Sequence, residues 1–592
     1  MNLWALLFLV LFTSFALAED SFSEFVSITE EQLTLGKPYL EVTEKQLRRS
    51  PRQNVGEFLA DLPGFVPLSS GPQGQLQSLS FRGANSEHLL VVVDGVVMND
   101  LTSPAGAFDF SLIPLSLVQK IYVYKRGQAI RYGAGALAGV VEISLKTDQG
   151  LSSKFDLEAG IGSFDQKKLQ LSRRALSLAW EKSGGFSSAD ESRGNREADG
   201  NESIAALYAE ERSIRLEGKG KLLLLHQQKK TEYDAFEGYG GDDPNANTFS
   251  RQTLISIQEK LPNHNLGLSF RDLHRGENNA VDPLQSGTLQ ASYSMQRAEA
   301  RFDTEISPIS DFGVQVAEER ILSSIDSSWS YEDYSFRQWQ TAIWLENKVQ
   351  TSSDRKAELS FRYDQLKAGG AVSAKASFEA MLGAWVASLE LDQTQKFPSA
   401  FQQFSSFGDK NLQAEKSLGG NFSLGRNFEE MGFEIELFDR QFEQLIDFDL
   451  STSVYKNLAR VRTSGVTGLI KGEVSQVDWQ ASTTFLHAKD LNSGNWLLRR
   501  PFVGAQLELS YEYSDALSVQ FRSRYLGERD DLVARVRRRV GSHTLSDLSF
   551  SRKWSASSLR LDLLNIFRER QARVWGYTEP DFHFNLGLQQ SF

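Results

Sequence analysis

Along the last stretch of the chain the side chains change character at every step. Phe582, Phe584, Leu586, Leu588 and Phe592 fall on one parity, broken by Gln590, and His583, Asn585, Gly587, Gln589 and Ser591 fall on the other. Successive side chains of a strand point to opposite faces, so this is a strand with one apolar and one polar side. The pattern recurs where Val503, Ala505, Leu507, Leu509, Tyr511 and Tyr513 alternate with Gly504, Gln506, Glu508, Ser510, Glu512 and Ser514. Similar stretches, divided by polar or Gly-rich segments, fill the chain from Gly150 onward. A soluble sandwich turns its apolar parity to a core, whereas a transmembrane barrel turns it to lipid and the polar parity to the lumen.

Export narrows the choice. Met1 to Ala18 is apolar almost throughout and ends Ala16-Leu17-Ala18 before Glu19, the form of a secretory signal peptide, although no Lys or Arg precedes the apolar run. No later stretch is apolar for long enough to span a bilayer as a helix, which leaves a soluble chain or a barrel. The formal charge of −12 argues against a nucleic-acid partner. The absence of cysteine removes disulfides, thiolate catalysis and Cys-based metal sites, and the 7 histidines are scattered without metal-type spacing. No Gly-x-Ser-x-Gly elbow, P-loop or His-Glu-x-x-His motif occurs, so no enzyme is expected.

Before Gly150 the texture is different. Thr43-Glu-Lys-Gln46 and Asn54-Val-Gly-Glu57 read as capping boxes opening two short helices, the second ending before Pro63-Gly64. Leu76 to Phe81 mixes apolar and polar residues, as a half-buried strand does. His88 to Val93 is an apolar run suited to a strand covered on both faces, and Asp94-Gly95 is a turn dipeptide leading to Val96–Met98. Ile121–Tyr124 and Val140–Leu145 supply further strands, while Leu68–Gln75 and Asn99–Asp109 are Gly/Pro/Ser-rich loops. The result is a small mixed α/β unit ending near Lys146.

Four blocks of this unit carry a resemblance in their order and spacing. They are Gly56-Glu-Phe-Leu-Ala-Asp-Leu-Pro-Gly-Phe65, the stretch from Leu76 to Asn99 with Arg82-Gly83, His88 and Asp94-Gly95, Val118 to Gly127, and Arg131-Tyr-Gly-Ala-Gly-Ala-Leu-Ala-Gly-Val-Val-Glu-Ile143. Together they resemble the plug domain of TonB-dependent outer-membrane receptors, in the form found in cobalamin importers. Phe397–Phe404, Asn411–Lys416, Leu445–Asp449, Leu498–Pro501, Leu563–Phe567 and the terminal Phe592 extend the resemblance over the mature chain.

The resemblance implies a β-class fold: a transmembrane antiparallel barrel of about 22 strands, filled by the α/β plug. At that strand number each strand with its connection takes about 20 residues, enough for a spanning strand of roughly 9–11. The implied division is a signal peptide over 1–18, an extended N-terminal segment over 19–38, the plug over 39–148 and the barrel over 149–592. Within the N-terminal segment Glu24, Phe25, Val26, Ser27, Ile28 and Thr29 occupy the place of the TonB box, where backbone groups add as a strand to a partner's sheet.

Arg82 and Arg126 match two plug arginines that face acidic residues on the barrel wall, with Gln128 standing where the family usually has Pro. Solute contacts are implied at the two plug apices, through Ser69, Ser70, Gln73 and Gln75 and through Asn99, Asp100 and Ser103. The acidic segment Tyr233 to Asn245 lies where cobalamin importers carry calcium-binding outer loops. Its Asp234, Glu237, Asp242 and Asp243 offer the oxygens a hard cation such as Ca²⁺ needs, and the same composition suits a solvated loop.

The expected function is active import of a scarce bulky solute across the outer membrane. A cobalamin-like corrinoid leads, with a ferric siderophore as the alternative, and a passive or structural barrel ranks below both because a filled lumen defeats diffusion. The segment from Phe397 to Leu412 lacks the histidine expected in haem receptors, which ranks haem below corrinoid. The implied partners are the TonB–ExbB–ExbD complex, outer-membrane lipid, the barrel-assembly machinery and the solute itself, with the chain acting as a monomer.

Overall fold

A computed structural model describes residues 39–68, 76–124, 129–146, 155–173, 176–186, 190, 204–211, 220–233, 245–281, 287–328, 331–367, 369–428, 431–449, 451–514, 516–533, 536–570 and 573–592. The signal peptide, Glu24–Thr29, Ser69, Ser70, Gln73, Gln75, Arg126, Asp234, Glu237, Asp242 and Asp243 lie outside the described residues.

The alternation closes a barrel. Twenty-two antiparallel strands, from Asp156–Gly162 to His583–Ser591, pair in chain order, and the last pairs with the first from Asn585↔Gly162 to Ser591↔Asp156. Closure leaves no open sheet edge, as lipid demands of backbone N–H and C=O groups. Phe582, Phe584, Leu588 and Phe592 are exposed on the outer surface, and so are Leu507, Tyr511 and Tyr513 of the earlier stretch. No described helix is long and apolar enough to cross a membrane.

Connections at one rim are short, such as 308–309, 383–384 and 475–476; those at the other include 397–414, 491–502 and 565–582. Short turns mark the periplasmic end of such barrels and long loops the outer end. The wall is uneven. Strands at the closing seam have 7 to 9 residues, as in Asp156–Gly162, Leu176–Ser183 and His583–Ser591, whereas Tyr331–Ser352 across the barrel has 22.

Inside sits the α/β unit. Its strands are β1 (Leu40–Val42), β2 (Phe65–Pro67), β3 (Leu79–Phe81), β4 (Leu89–Val93), β5 (Val96–Val97), β6 (Val118–Tyr124) and β7 (Gly139–Leu145). Five form a sheet in the order β1-β6-β7-β4-β5, with β4 and β7 parallel. All five residues of β4 are buried: Leu89, Val91 and Val93 join the main core, and Leu90 and Val92 a second cluster on the other face. That is why the segment reads as a continuous apolar run rather than an alternating one. The barrel completes the main core with Ala179, Leu223, Leu225, Leu254, Phe442 and Val461.

Helix α1 (Glu44–Arg49) carries the reciprocal box expected at Thr43 and Gln46. Helix α2 (Val55–Ala60) is capped by the Asn54 side chain, while the Glu57 carboxylate accepts from the Gln53 N–H, one residue earlier than a strict box requires. Asp94 and Gly95 both have positive φ, 45° and 83°, in the hairpin between β4 and β5.

The half-buried strand expected over Leu76–Phe81 is shorter and more buried than its composition suggests. Only Leu79–Phe81 pairs, with β2, and Ser80 is fully enclosed while Leu76 is 65% exposed. The barrel lumen replaces the solvent that the polar residues of this stretch were expected to meet.

Candidate functional site

The candidate functional surface is the seat between plug and wall, together with the outer mouth above it. Its centre is Arg82. Arg82 and Gly83 have φ of 51° and 81°, and Ala84 N donates back to Phe81 O at 3.0 Å, so the pair forms a tight reversal after β3. The left-handed conformation is uncommon for a non-glycine residue. At Gly83 an added Cβ would lie 3.0 Å from Thr463 Cγ2 and 3.2 Å from Leu486 Cδ1 on the wall, so glycine is what admits the close approach.

The turn aims Arg82 at the barrel. Its Nη1 donates to Glu436 Oε1 at 3.0 Å and its Nη2 to Glu436 Oε2, with both side chains only 1% exposed. Tyr39 and Phe438 stack on the guanidinium at 4.5 and 5.1 Å. Burial works against the charge, but Glu436 and Tyr39 outweigh it and hold the guanidinium protonated more firmly than usual. Burial also pushes the Tyr39 phenol up, against the pull of Arg82.

Elsewhere the donors come from the wall. Arg500 reaches Gly83 O at 2.9 Å, Arg362 reaches Ile130 O at 3.3 Å, Arg440 reaches Leu137 O at 3.3 Å and Arg271 reaches Asn99 O at 2.9 Å. Arg362 and Arg440 are themselves paired with Asp364 and Asp392. Sequence reasoning looked for plug arginines against wall acids and missed this reverse arrangement. A signal existed: arginines on the lumen parity, as where Arg522 and Arg524 alternate with Phe521 and Tyr525.

A second anchor holds the N-terminal side of the plug. Arg52 donates to Asp61 at 2.6 and 3.1 Å and to Asp547 on the wall at 2.6 Å. Arg524 adds contacts to Ala60 O and Asp61 at 3.2 and 3.3 Å. Arg522 donates to Ser50 Oγ at 2.9 Å, and Arg560 to Arg48 O and Arg49 O at 2.5 and 2.6 Å. Burial alone would raise the Asp61 carboxyl; Arg52, Arg524 and Arg522 overcome it and hold the group below the usual aspartate value.

At the outer mouth the second apex, residues 99–109, is braced rather than open. Asn99 is buried: its Oδ1 accepts from Val91 N, and its Nδ2 donates to Leu89 O and Gly106 O. That leaves no side-chain group of Asn99 facing a solute. Asp100 accepts from Thr102 and pairs with Arg275 of the wall at 3.0 Å, and Ser103 Oγ is engaged with Asp100 O and Gly106 N. Pro104 is the exposed tip, and its carbonyl accepts from Ser399 Oγ at 2.8 Å. Ser399 in turn caps the short helix Ala400–Phe404.

Aromatic rings crowd this rim. Phe336 and Phe404 lie 4.5 Å apart, Phe448 and Tyr455 5.3 Å, and Phe401 and Tyr455 6.1 Å. Leu101 of the apex, Phe336 and Phe404 all pack against a buried cluster of Leu273, Met295, Ile321 and Ala400. Lys410 lies 6.0 Å from the Phe404 ring, and Arg275, paired with Asp100, stacks on Tyr293 at 4.0 Å. Among the described residues no group of three or more His, Cys, Asp or Glu side chains is placed to hold a metal ion.

Two family matches cover most of the chain. Residues 33–140 match the family described as TonB-dependent Receptor Plug Domain, and residues 147–566 match TonB dependent receptor-like, beta-barrel. Among solved structures, the siderophore receptor PirA from Acinetobacter baumannii is similar at 15% identity and a TM-score of 0.76, over 96% of this chain and 100% of that one. The ferric enterobactin receptor PfeA from Pseudomonas aeruginosa, in complex with BCV-L6, is similar at 15% identity and 0.74, over 93% and 99%. The FrpB iron transporter from Neisseria meningitidis is similar at 12% identity and 0.76, over 94% and 100%. At these identities the likeness is one of fold.

Proposed function

The chain belongs to the TonB-dependent receptor family, and on that premise we propose that the solute it imports is an anionic ferric siderophore. Receptors of this family are transporters of the outer membrane, energised through TonB, and not enzymes. The outer membrane holds no ATP and no proton gradient of its own, so the work arrives through that partner.

The observation that carries the siderophore reading is the outer rim. Aromatic rings of Phe401, Phe404, Phe448 and Tyr455, with the exposed Lys410 beside Phe404, offer stacking and positive charge to an aromatic, anionic chelate. The solved structures similar in fold include siderophore and iron receptors, which supports the same reading over the corrinoid one. Ser69, Ser70, Gln73 and Gln75 of the first apex supply polar contacts, joined by the Ser103–Pro104 tip of the second. Glu24 to Thr29 engages TonB, and TonB acts with ExbB and ExbD.

The test is a binding screen of detergent-purified protein against ferric catecholate and hydroxamate siderophores, cobalamin and cobinamide. A ferric siderophore should bind and the corrinoids should not; tight cobalamin binding with no siderophore binding would reverse the assignment.

A further inference from the structure

On the outside of the barrel the charges are placed against their own repulsion. Side chains directly opposite on neighbouring strands lie close together, and like charges in such positions are destabilising. Among the described strands two bases nevertheless face each other on the outward parity at three places: Lys167↔Lys182, Arg320↔Arg337 and Arg462↔Lys489. The first pair joins Gln166–Arg173 to Leu176–Ser183, the second Ser310–Ser327 to Tyr331–Ser352, and the third Val454–Val474 to Val477–Asp490. Their chain neighbours Gln166, Ser183, Glu319, Val461 and Ala488 are buried toward the lumen, so the bases point away from it.

Carboxylates offset only half of this charge. In each pair one base has an acidic partner: Lys167 meets Asp165 at 2.7 Å, Arg337 meets Glu318, and Arg462 meets Asp439 at 2.8 Å. The other base, Lys182, Arg320 or Lys489, has no carboxylate oxygen within 4.0 Å among the described residues. Lys489 lies over the Trp496 ring at 5.1 Å, and Arg320 stands opposite Gln296 on its other side. One positive charge is left at each place.

The three pairs share a level in the membrane. Strands Ser310–Ser327 and Val477–Asp490 rise from the short turns 308–309 and 475–476, which puts Arg320 and Lys489 toward the outer rim, and Lys182 lies likewise near the outer end of Leu176–Ser183. One or two outward positions nearer the periplasm stand the exposed Trp180, Trp339 and Phe485. Aromatic girdles flank the apolar band of such barrels at both interfaces, so bases just above the outer girdle are level with lipid headgroups. At the periplasmic end the outward bases Arg173, Arg426 and Arg552 stand opposite Leu176, Phe433 and Leu559 instead. Doubling of bases is confined to the outer leaflet.

We propose that each pair seats a phosphate group on the headgroup of an anionic lipid in the outer leaflet. A phosphate accepts charge-assisted hydrogen bonds through several oxygens, so it can bridge both bases and turn their repulsion into a shared attraction. The carboxylate beside one base orients it without neutralising the pair, and the unmatched base supplies the charge that retains the lipid. The seats lie on separate arcs of the wall, at the seam, at its tallest strand and beside the 491–502 connection, so each holds its own lipid molecule.

Detergent-purified receptor is titrated with diphosphoryl lipid A, a phosphorylated glycolipid, and the lipids it retains are counted by native mass spectrometry. The wild type should retain one molecule per pair in a saturable way. Lys182→Gln, Arg320→Gln and Lys489→Gln should each weaken retention at one seat about five-fold, the worth of one base at an anionic lipid surface. Lys182→Arg, Arg320→Lys and Lys489→Arg should bind as the wild type does. Dephosphorylated lipid A should bind weakly and should not distinguish the wild type from the triple glutamine variant. Equal retention of diphosphoryl lipid A by the wild type and that variant would overturn the proposal. So would equal retention of the two lipids by the wild type, or binding of inorganic phosphate with no lipid retained. Heat-modifiable gel mobility checks that each variant has assembled, and the single variants keep the test intact if the triple one does not.

Discussion

A single guanidinium shows how the plug is seated. Arg82 and Glu436 are both removed from water and complete each other, so deleting one leaves the other buried and unpaired. Such losses cost about 3–5 kcal/mol, while replacing both partners with apolar residues is often far milder. Arg82→Ala and Glu436→Ala should each lower the urea concentration at which the plug becomes protease-sensitive, and Arg82→Leu with Glu436→Leu should recover much of it. A double variant as weak as the two losses combined would deny the coupling.

Asp61 adds a pH dependence of known sign. Its carboxyl is held below the usual value in the folded state, so its contribution is complete above the ordinary aspartate pKa of about 3.9. It is lost as the pH falls from there through the lower folded value. Plug protection should hold at pH 5 and fade under stronger acid, and Asp61→Asn should lose protection at neutral pH with a flatter acid response. An unaltered acid profile in Asp61→Asn would assign the fading to other carboxylates.

At the level of elements, legibility followed from how local the cause was. The Asp94-Gly95 hairpin, the Thr43 cap and the doubly covered β4 each depend on a few adjacent residues, and each is present. The parity of the last strand was legible for the same reason, since it needs no partner to be read. Leu586 pairs with Leu561 and Ile161 on the apolar side, and Ile161 is 57% exposed to the lipid side. Leu586→Arg should destabilise the barrel by roughly 2–4 kcal/mol if the position lies at the bilayer midplane. Asn585→Arg, on the lumen parity, should be much milder in a urea-unfolding comparison in bilayers. Equal damage from the two would mean that the faces are reversed.

What was not legible is the pairing of distant residues. Arg82 and Glu436 are 354 positions apart, and Arg52 and Asp547 are 495. Which arginine meets which carbonyl depends on the register of many strands and on how deep the plug sits. For the same reason Asn99 looked available to a solute, although the fold turns its amide inward to brace the apex.

For the whole molecule, a closed barrel around a plug held by buried charges cannot act as an open pore, and its anchors can part only under work. On the function proposed here, this work comes from TonB through the N-terminal segment. The direct measurement compares surface binding and uptake of radioiron-labelled ferric siderophore in cells where this chain is the sole receptor, with TonB, without TonB, and with Ile28→Pro. Proline removes an N–H and constrains Ser27, so it should spoil strand addition while leaving the folded plug alone. Binding should be equal in all three, and uptake should fall to background in the last two. Uptake that persists without TonB would contradict the account.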